Sequence, residues 1–311
     1  MSKMLSFVIP CYRSEDTISS VIQEIDEVMK QKKDYDYEII AVNDSSPDNV
    51  WNVLTELASQ KTYIKIIDLA KNMGKNSALL AGYYYAKGDI VINLDDDGQC
   101  PVDKLWELLK PLKDGYDVSI ARYNHKKQSA FKNFGSYVNH IMACFLLDKP
   151  KDLQISNFLA MKRFICKEIL RYKNPYPYIS GLYLRSTSRV KNVDMEERER
   201  LIGTSGYTFI KSLKMLLNGF TAFSVKPLRL ATFLGFLTSC FGFGYAIYII
   251  VRKFMRPDIA SGYSSLMSVI LFVGGVIMVL LGLLGEYVGR IYISLNNSPQ
   301  YVIREVKNIE E

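Results

Sequence analysis

From Leu228 to Val251 and from Ser264 to Val288 the chain is almost uncharged, and each run is longer than the roughly 20 residues that carry an α-helix across a bilayer. No other feature restricts the fold so strongly, because hydrocarbon admits only backbone whose polar groups are satisfied within the segment. A buried core helix is the soluble alternative for either run. Against it stand Gly242, Gly244, Gly274, Gly275, Gly282 and Gly285, the apolarity on every side, and flanking Tyr, Lys and Arg residues. These are the marks of closely packed membrane helices with interfacial anchors. Two transmembrane helices, 228–251 and 264–288, joined by a loop at 252–263, are expected, with a re-entrant hairpin as the variant.

Two spans return the C-terminus to the side of the N-terminus. Lys211, Lys214, Lys226, Arg229 and Arg290 outnumber the cations between the runs, although Arg252, Lys253 and Arg256 oppose that bias. Met1 to Pro10 lacks a basic segment followed by a long apolar one and reads as a β-strand. The part before the spans is therefore expected on the cytosolic side, with 289–311 as a cytosolic tail. A net charge of +7 suits nucleic acid or an anionic membrane surface; the apolar runs select the lipid bilayer, and no nucleic-acid partner is expected. Cys11, Cys100, Cys144, Cys166 and Cys240 show no C-x-x-C spacing, and with only His125 and His140 beside them they read as reduced thiols rather than zinc ligands.

Before the spans, apolar β-branched runs alternate with helical patterns. Leu5–Pro10, Tyr37–Asp44, Ile64–Ala70 and Gly88–Asp95 have strand character, while Thr17–Met29 carries Ile18, Val21, Ile22, Ile25 and Val28 at helical spacing; Val50–Ala58 and Ser77–Tyr85 behave alike. Such alternation predicts an α/β fold, a mainly parallel Rossmann-like sheet with helices on both faces. Ligands of these sheets sit beyond the carboxyl ends of the strands, so Pro10-Cys11-Tyr12, Asp44-Ser45-Ser46 and Asp95 to Gln99 should converge on one crevice. No G-x-G-x-x-G follows the first strand and no G-x-x-x-x-G-K-S/T occurs, which removes the main support for dinucleotide oxidoreductases and P-loop enzymes.

Beyond Tyr123 the pattern is less regular. Phe134–Leu147 and Lys162–Ile169 look helical, and the prolines of Asn174–Tyr178 predict a turn or extended segment. Between Thr208 and Phe223, Phe209, Ile210, Leu213, Leu216, Leu217 and Phe220 alternate with Lys211 and Lys214, as in an amphipathic helix at a membrane surface or, equally, a domain helix packed on the sheet. Gln300–Val306 reads as a short strand on an oligomer edge.

Asp95 and Asp97 stand two apart, with Gln99 two further on. Alternate residues at a strand end point the same way, so these oxygens could face one hard cation, Mg²⁺ or Mn²⁺. A solvated turn leading into a helix at Pro101 is the plainer alternative.

The strings "FVIPCYRSED", "IIAVNDSSPDNV", "NMGKNSALLAGYYYAKGDIVINLDDDGQCP" and "SIARYN", in this order and at these spacings, resemble family 2 glycosyltransferases of the GT-A fold. "RERLIGTSGYTFIKSLKMLL", the paired apolar runs, "GEYVGRIY" and "NNSPQYVI" narrow the resemblance to polyprenyl-phosphate glycosyltransferases, bacterial relatives of dolichol-phosphate-mannose synthase. The likeness covers nearly the whole chain. It implies a GT-A catalytic domain at 1–207 and an amphipathic interface segment at 208–227. It also implies a multi-pass protein of the inner (cytoplasmic) membrane and a homo-oligomer, the tetramer being one form.

The resemblance further implies roles for residues. Asp95, Asp97 and Gln99 would hold the metal, and Asp95 and Asp96 the nucleotide-sugar diphosphate. Pro10, Tyr12 and Glu15 would cradle the base, Asp44 would read base or ribose, and Lys75 would lie near the nucleotide unless it is a solvated loop lysine. Arg122, with Lys126, Lys127 and Lys132 beyond it, would lie near the donor and acceptor phosphates. Arg200, Gly203 and Ser205 match the family's R-x-x-G-x-S segment, which places Arg200, Ser205 and, more remotely, Arg198 at the acceptor phosphate. Asp152 falls where relatives carry an acidic residue near the reaction centre, as a catalytic group or as the partner of a phosphate-binding arginine. Asn43 replaces a commoner Asp, and Asp96 and Gly98 replace the usual surroundings of the metal motif; both departures bear on the donor more than on the reaction.

The activity so implied is inverting, metal-dependent transfer of a sugar from a nucleotide-sugar, a UDP-sugar first, to undecaprenyl phosphate, for cell-surface glycan modification. A lipid phosphate is already anionic, so alignment and leaving-group stabilisation suffice without a strong general base. A family 2 enzyme with a glycan or protein acceptor, its spans only an anchor, is the alternative; it needs a general base. A membrane scaffold retaining the nucleotide-binding fold is the non-enzymatic reading.

Overall fold

The computed structural model describes residues 3–123, 144, 149–175, 177–196, 198, 226–255, 262–296 and 298–309. The chain divides into two compact units, residues 1–212 with 297–311, and residues 213–296.

In the first unit, β1 (Lys3–Cys11), α1 (Ile18–Lys30), β2 (Tyr35–Asn43), α2 (Val50–Gln60), β3 (Ile64–Leu69), α3 (Lys75–Tyr85) and β4 (Ile90–Asn93) alternate as the sequence predicts. They are followed by α4 (Leu105–Lys113), β5 (Val118–Tyr123), β6 (Leu159–Lys162), α5 (Arg163–Leu170), α6 (Ile179–Ser186) and β7 (Val190–Met195). The sheet order is β7-β5-β6-β4-β1-β2-β3-β8, where β8 is Ile303–Lys307. Pairing is parallel except at β6 and β8, each antiparallel to its neighbours. The C-terminal segment is thus a strand, as its sequence suggests, and its partner is β3 of its own sheet.

Strand alternation sorts the core into two layers. Leu5, Phe7, Ile9 and Cys11 of β1 join Ile39 and Ala41 of β2 in one cluster with the predicted stripe of α1, Leu54 of α2 and Leu105, Leu108 and Leu109 of α4. Each Leu, Ile, Val or Phe side chain so withdrawn from water contributes about 1.5–3 kcal/mol before chain entropy is counted. On the other face α3 lies so close to β1 and β2 that a Cβ on Gly82 would come within 2.3 Å of Val8 Cγ1 and 3.3 Å of Val42 Cγ2. Gly82→Ala is therefore expected to destabilise the first unit by about 1–3 kcal/mol through overpacking, read as a lower thermal midpoint in detergent. All five cysteines are free thiols, with Cys11, Cys100 and Cys166 buried.

The second unit contains two long helices, α7 (Lys226–Met255) and α8 (Tyr263–Leu295). Both reach beyond the apolar runs that define them. They touch where Gly235 of α7 leaves room for Leu280 of α8, whose Cδ1 would lie 3.7 Å from an added Cβ. Large apolar side chains, among them Phe241, Phe243, Phe254, Met278 and Val279, are exposed. Among the described residues Phe272–Leu295 is long and apolar enough to cross a membrane, and Ala231–Tyr245 is a shorter apolar stretch.

Candidate active site

The parallel register brings the carboxyl ends of β1, β2 and β4 to one edge, and the loops after them interlock through polar contacts. The Tyr12 amide donates to Asp96 Oδ2 at 2.9 Å and the Thr17 hydroxyl to the Asp96 carbonyl at 2.6 Å. The Arg13 amide donates to Ser46 Oγ at 2.8 Å and the Glu15 amide to Asp48 Oδ2 at 3.0 Å, while Glu15 Oε2 accepts the Asn49 amide at 2.7 Å. Arg13 and Ser45 hold φ values of 57° and 50°, a region non-glycine residues seldom occupy, and Gly98 turns the metal-motif loop at 75°. The predicted convergence of the three segments is met.

Within this edge the three aspartates have different surroundings. Asp95 pairs with Lys75 at the start of α3 and accepts Asn157 Nδ2 at 2.9 Å. Asp96 turns toward the first loop, and Asp97 Oδ1 accepts the Gln99 amide at 3.2 Å. Burial pushes the Asp96 carboxyl up to about 6; the Tyr12 amide opposes the shift and neighbouring Asp95 adds to it. Asp44 also rises through burial, opposed by the amides of Met73 and Gly74, which it accepts at 2.8 and 2.9 Å. Asp44 thereby fixes the turn that delivers Lys75 to Asp95, and its remaining lone pairs are its only capacity for a nucleotide.

Because the folded pKa of Asp96 lies above its unfolded value near 4, the native state retains a proton that the unfolded chain has released between about pH 4 and 6. Its contribution to stability is complete below pH 4 and is lost as pH rises through 6. Asp96→Asn keeps an acceptor for Tyr12, so in EDTA its stability relative to wild type should increase by about 1–2 kcal/mol from pH 4 to 7. Thermal midpoints at each pH give the comparison.

Asp95 and Asp97 are half-buried and offer hard carboxylate oxygen, which suits Mg²⁺ or Mn²⁺ and not a soft metal. The ammonium of Lys75 beside Asp95 marks the place as one that attracts a cation. Among the described residues no group of three or more His, Cys, Asp or Glu side chains is gathered for a metal. Two carboxylates fit a hard cation that completes its shell with ligand oxygens and water.

Further along the same edge, Arg122 at the end of β5 forms a two-pronged pair with Asp194 of β7, its strand neighbour; Nη2 to Oδ2 is 2.8 Å. Asp152 is exposed and close enough to help hold the Arg122 guanidinium charged, after the larger effect of Asp194. Arg198 pairs with Glu24 at 2.7 Å and with Asp103, and its backbone meets Gln99, with Gln99 Nε2 donating to the Arg198 carbonyl at 3.3 Å. Its charge is thus matched by two carboxylates. Lys126, Lys127, Lys132, Arg200, Gly203, Ser205 and the amphipathic segment to 225 lie outside the described residues, as does most of Phe134–Leu147. Sequence reasoning missed Asn157, Asp194, Glu24 and Asp103. None has a local signal, because each acts on a residue 62 to 174 positions away.

The fold is of the GT-A type: glucosyl-3-phosphoglycerate synthase from Mycobacterium tuberculosis, solved with Mn²⁺ and UDP-glucose, superposes with a TM-score of 0.52 at 18% identity over 70% of this chain and 77% of that one. Residues 6–172 match Glycosyl transferase family 2, and residues 226–291 match the GtrB C-terminal hairpin. The chain belongs to glycosyl transferase family 2 and is a glycosyltransferase. It is 30% identical to the undecaprenyl-phosphate 4-deoxy-4-formamido-L-arabinose transferase of Proteus mirabilis over 99% of this chain and 95% of the relative. It is 29% identical to the SfII prophage-derived bactoprenol glucosyl transferase of Shigella flexneri, covering 97% of both.

Proposed function

We propose that this enzyme transfers a sugar from a nucleotide-sugar, a UDP-sugar in the first instance, to undecaprenyl phosphate with inversion at the anomeric carbon. The observation that carries the reading is the meeting of the Tyr12, Asp44 and Asp95–Gln99 loops at one strand edge in a chain that also bears an exposed apolar hairpin. The relatives support the acceptor, since both are named for the same class of lipid while their sugars differ. A UDP-binding GT-A neighbour and the oxygen ligands of Asp95 and Asp97 support the donor and a divalent metal.

In this reading Pro10, Tyr12 and Glu15 border the base, Asp44 fixes the nucleotide loop, and Lys75 leaves Asp95 to meet the donor diphosphate. A bound Mg²⁺ or Mn²⁺ would neutralise charge on the departing nucleoside diphosphate. Arg122 orients phosphate at the other end of the edge, with Arg200, Ser205 and Lys132 as proposed acceptor contacts. An anionic lipid phosphate needs no proton removed before it attacks in line. We assign residues 1–207 to the cytosol, 208–227 to the membrane surface, 228–251 of α7 and 264–288 of α8 to two spans of the inner membrane, and 289–311 to the cytosol again. A homo-oligomer, the tetramer being one form, completes the proposal. Incubating the purified protein with radiolabelled UDP- and GDP-sugars, undecaprenyl phosphate and Mn²⁺ or Mg²⁺ tests it; labelled lipid that vanishes with EDTA is the expected result.

A glycan or protein acceptor would need a base, and Asp152 is the residue proposed for it. Its exposed place near Arg122 favours a charge partner instead. Asp152→Asn should therefore lower turnover less than about tenfold, whereas a general base is worth 10²–10⁴. A loss above a hundredfold in the lipid-transfer assay would reverse this assignment.

A further inference from the structure

The C-terminal strand reaches the candidate nucleotide loops through a short series of side chains. On β8, Glu305 stands opposite Asp68 of β3 but Ile303 stands opposite Leu69, so Arg304 is the extra residue of a β-bulge. Bulges re-aim a side chain out of the ordinary alternation. Arg304 Nη1 donates to Asp68 Oδ2 at 3.1 Å and Nη2 to the Ala70 carbonyl at 3.1 Å. The Asp68 side chain is 5% exposed, and its other oxygen accepts Asn43 Nδ2 at 2.7 Å. Asn43 Oδ1 in turn accepts the Ser46 amide at 3.1 Å. Ser46 Oγ accepts the Arg13 amide at 2.8 Å and donates to Asp48 Oδ1 at 2.5 Å, and Asp48 Oδ2 holds the Glu15 amide.

The series has one workable polarity. Asp68 is acceptor-only when ionised, so its neighbour must offer N–H, while the Ser46 amide needs an acceptor from that same neighbour. An amide at position 43 meets both demands, and an aspartate there would face the Asp68 carboxylate. The loops so tied contain Arg13 and Ser45, whose left-handed backbone persists only where surrounding structure fixes it.

We propose that Arg304, Asp68 and Asn43 are positioning residues for the donor nucleotide, through which the C-terminal strand sets the geometry of the loops after β1 and β2. This rests on the reading that those loops hold the nucleotide. Other contacts keep β8 in place without Arg304: Gln300 Nε2 donates to the Tyr172 and Asn174 carbonyls at 3.0 and 2.7 Å, and Asn308 Nδ2 to those of Ala58 and Ile64 at 2.7 and 2.9 Å.

The test is hydrogen exchange on full-length protein in detergent, comparing wild type, Arg304→Met, Arg304→Lys, Asn43→Asp and the double variant Asn43→Asp/Asp68→Asn. Exchange in peptides covering 11–17 and 43–50 should quicken about tenfold in Arg304→Met and Asn43→Asp, with α4 and β5 unchanged. Arg304→Lys should restore part of the protection. The double variant restores donor and acceptor in reversed order, and so should restore protection at Ser46. In parallel, the Kd of UDP with Mn²⁺ should rise about tenfold in the same two single variants, with kcat at saturating donor unchanged. Unaltered loop exchange, or exchange that quickens equally throughout the sheet, overturns the coupling. Loosened loops with unaltered UDP affinity overturn the role in donor binding. Should wild type bind neither UDP nor GDP, the donor reading fails, and the exchange data alone decide whether the strand sets the loops.

Discussion

Asp97→Ala is expected to reduce sugar transfer to undecaprenyl phosphate by roughly 10²- to 10³-fold, the loss typical when one preorganised charge-stabilising group is removed. The residue is half-buried in a loop, at the turn that Gly98 makes, and its side chain accepts the Gln99 amide. Folding should therefore be spared, with a thermal midpoint in EDTA close to that of wild type. The decisive comparison adds Mn²⁺: the metal together with UDP should raise the midpoint of wild type and leave that of Asp97→Ala where it was. A variant that retains more than a tenth of wild-type turnover would exclude Asp97 as a ligand in the reaction. Asp95→Ala should behave differently, because it also leaves Lys75 and Asn157 without their shared carboxylate.

The largest stability effect is expected within the sheet, away from the candidate site. Glu38 is 1% exposed in the middle of β2, where it accepts Ser6 Oγ at 2.5 Å and the Lys87 amide at 2.6 Å and pairs with Lys65, whose side chain is 12% exposed. Glu38→Ala would take the shared acceptor from that ammonium, the buried Ser6 hydroxyl and the Lys87 amide. Breaking one side of such a pair costs about 3–5 kcal/mol. Replacing Glu38 and Lys65 together by apolar residues should cost much less, since the expense lies in the unpaired charge and not in the absence of the bridge. Denaturant unfolding of the three variants makes the comparison. Glu38 lies five residues before the end of β2, about 16 Å from the catalytic edge, so the surviving folded fraction of Glu38→Ala should keep wild-type KM values.

The two predictions draw on different parts of what a sequence can say. Asp97 is legible because a strand end imposes a two-residue period on its neighbours, and the spacing to Asp95 and Gln99 survives whatever the rest of the chain does. Glu38 gives no such sign. It sits in "YEIIAVND" as a charge just before an apolar run, and its partners come from β1, β3 and the turn after α3. Asn43 looks from its sequence like a change bearing on the donor; beside Asp68 it is the amide that a buried carboxylate and the Ser46 N–H require between them.

What the sequence by itself determined was local and periodic: the apolar stripe of α1, the strand runs, the two apolar stretches, and the rule that loops after parallel strands share one edge. From these follow the layered α/β sheet, the convergence of Tyr12, Asp44 and Asp95, and the hairpin. Strand order was decided only by tertiary structure. It set β7 beside β5, giving Arg122 its Asp194, brought the segment before β6 to Asp95 through Asn157, and laid β8 on β3 so that Arg304 meets Asp68. The physical reason is that a hydrogen bond or ion pair acts over about 3 Å of space whatever its separation in sequence, so partners 62 to 236 residues apart are fixed by which strands become neighbours.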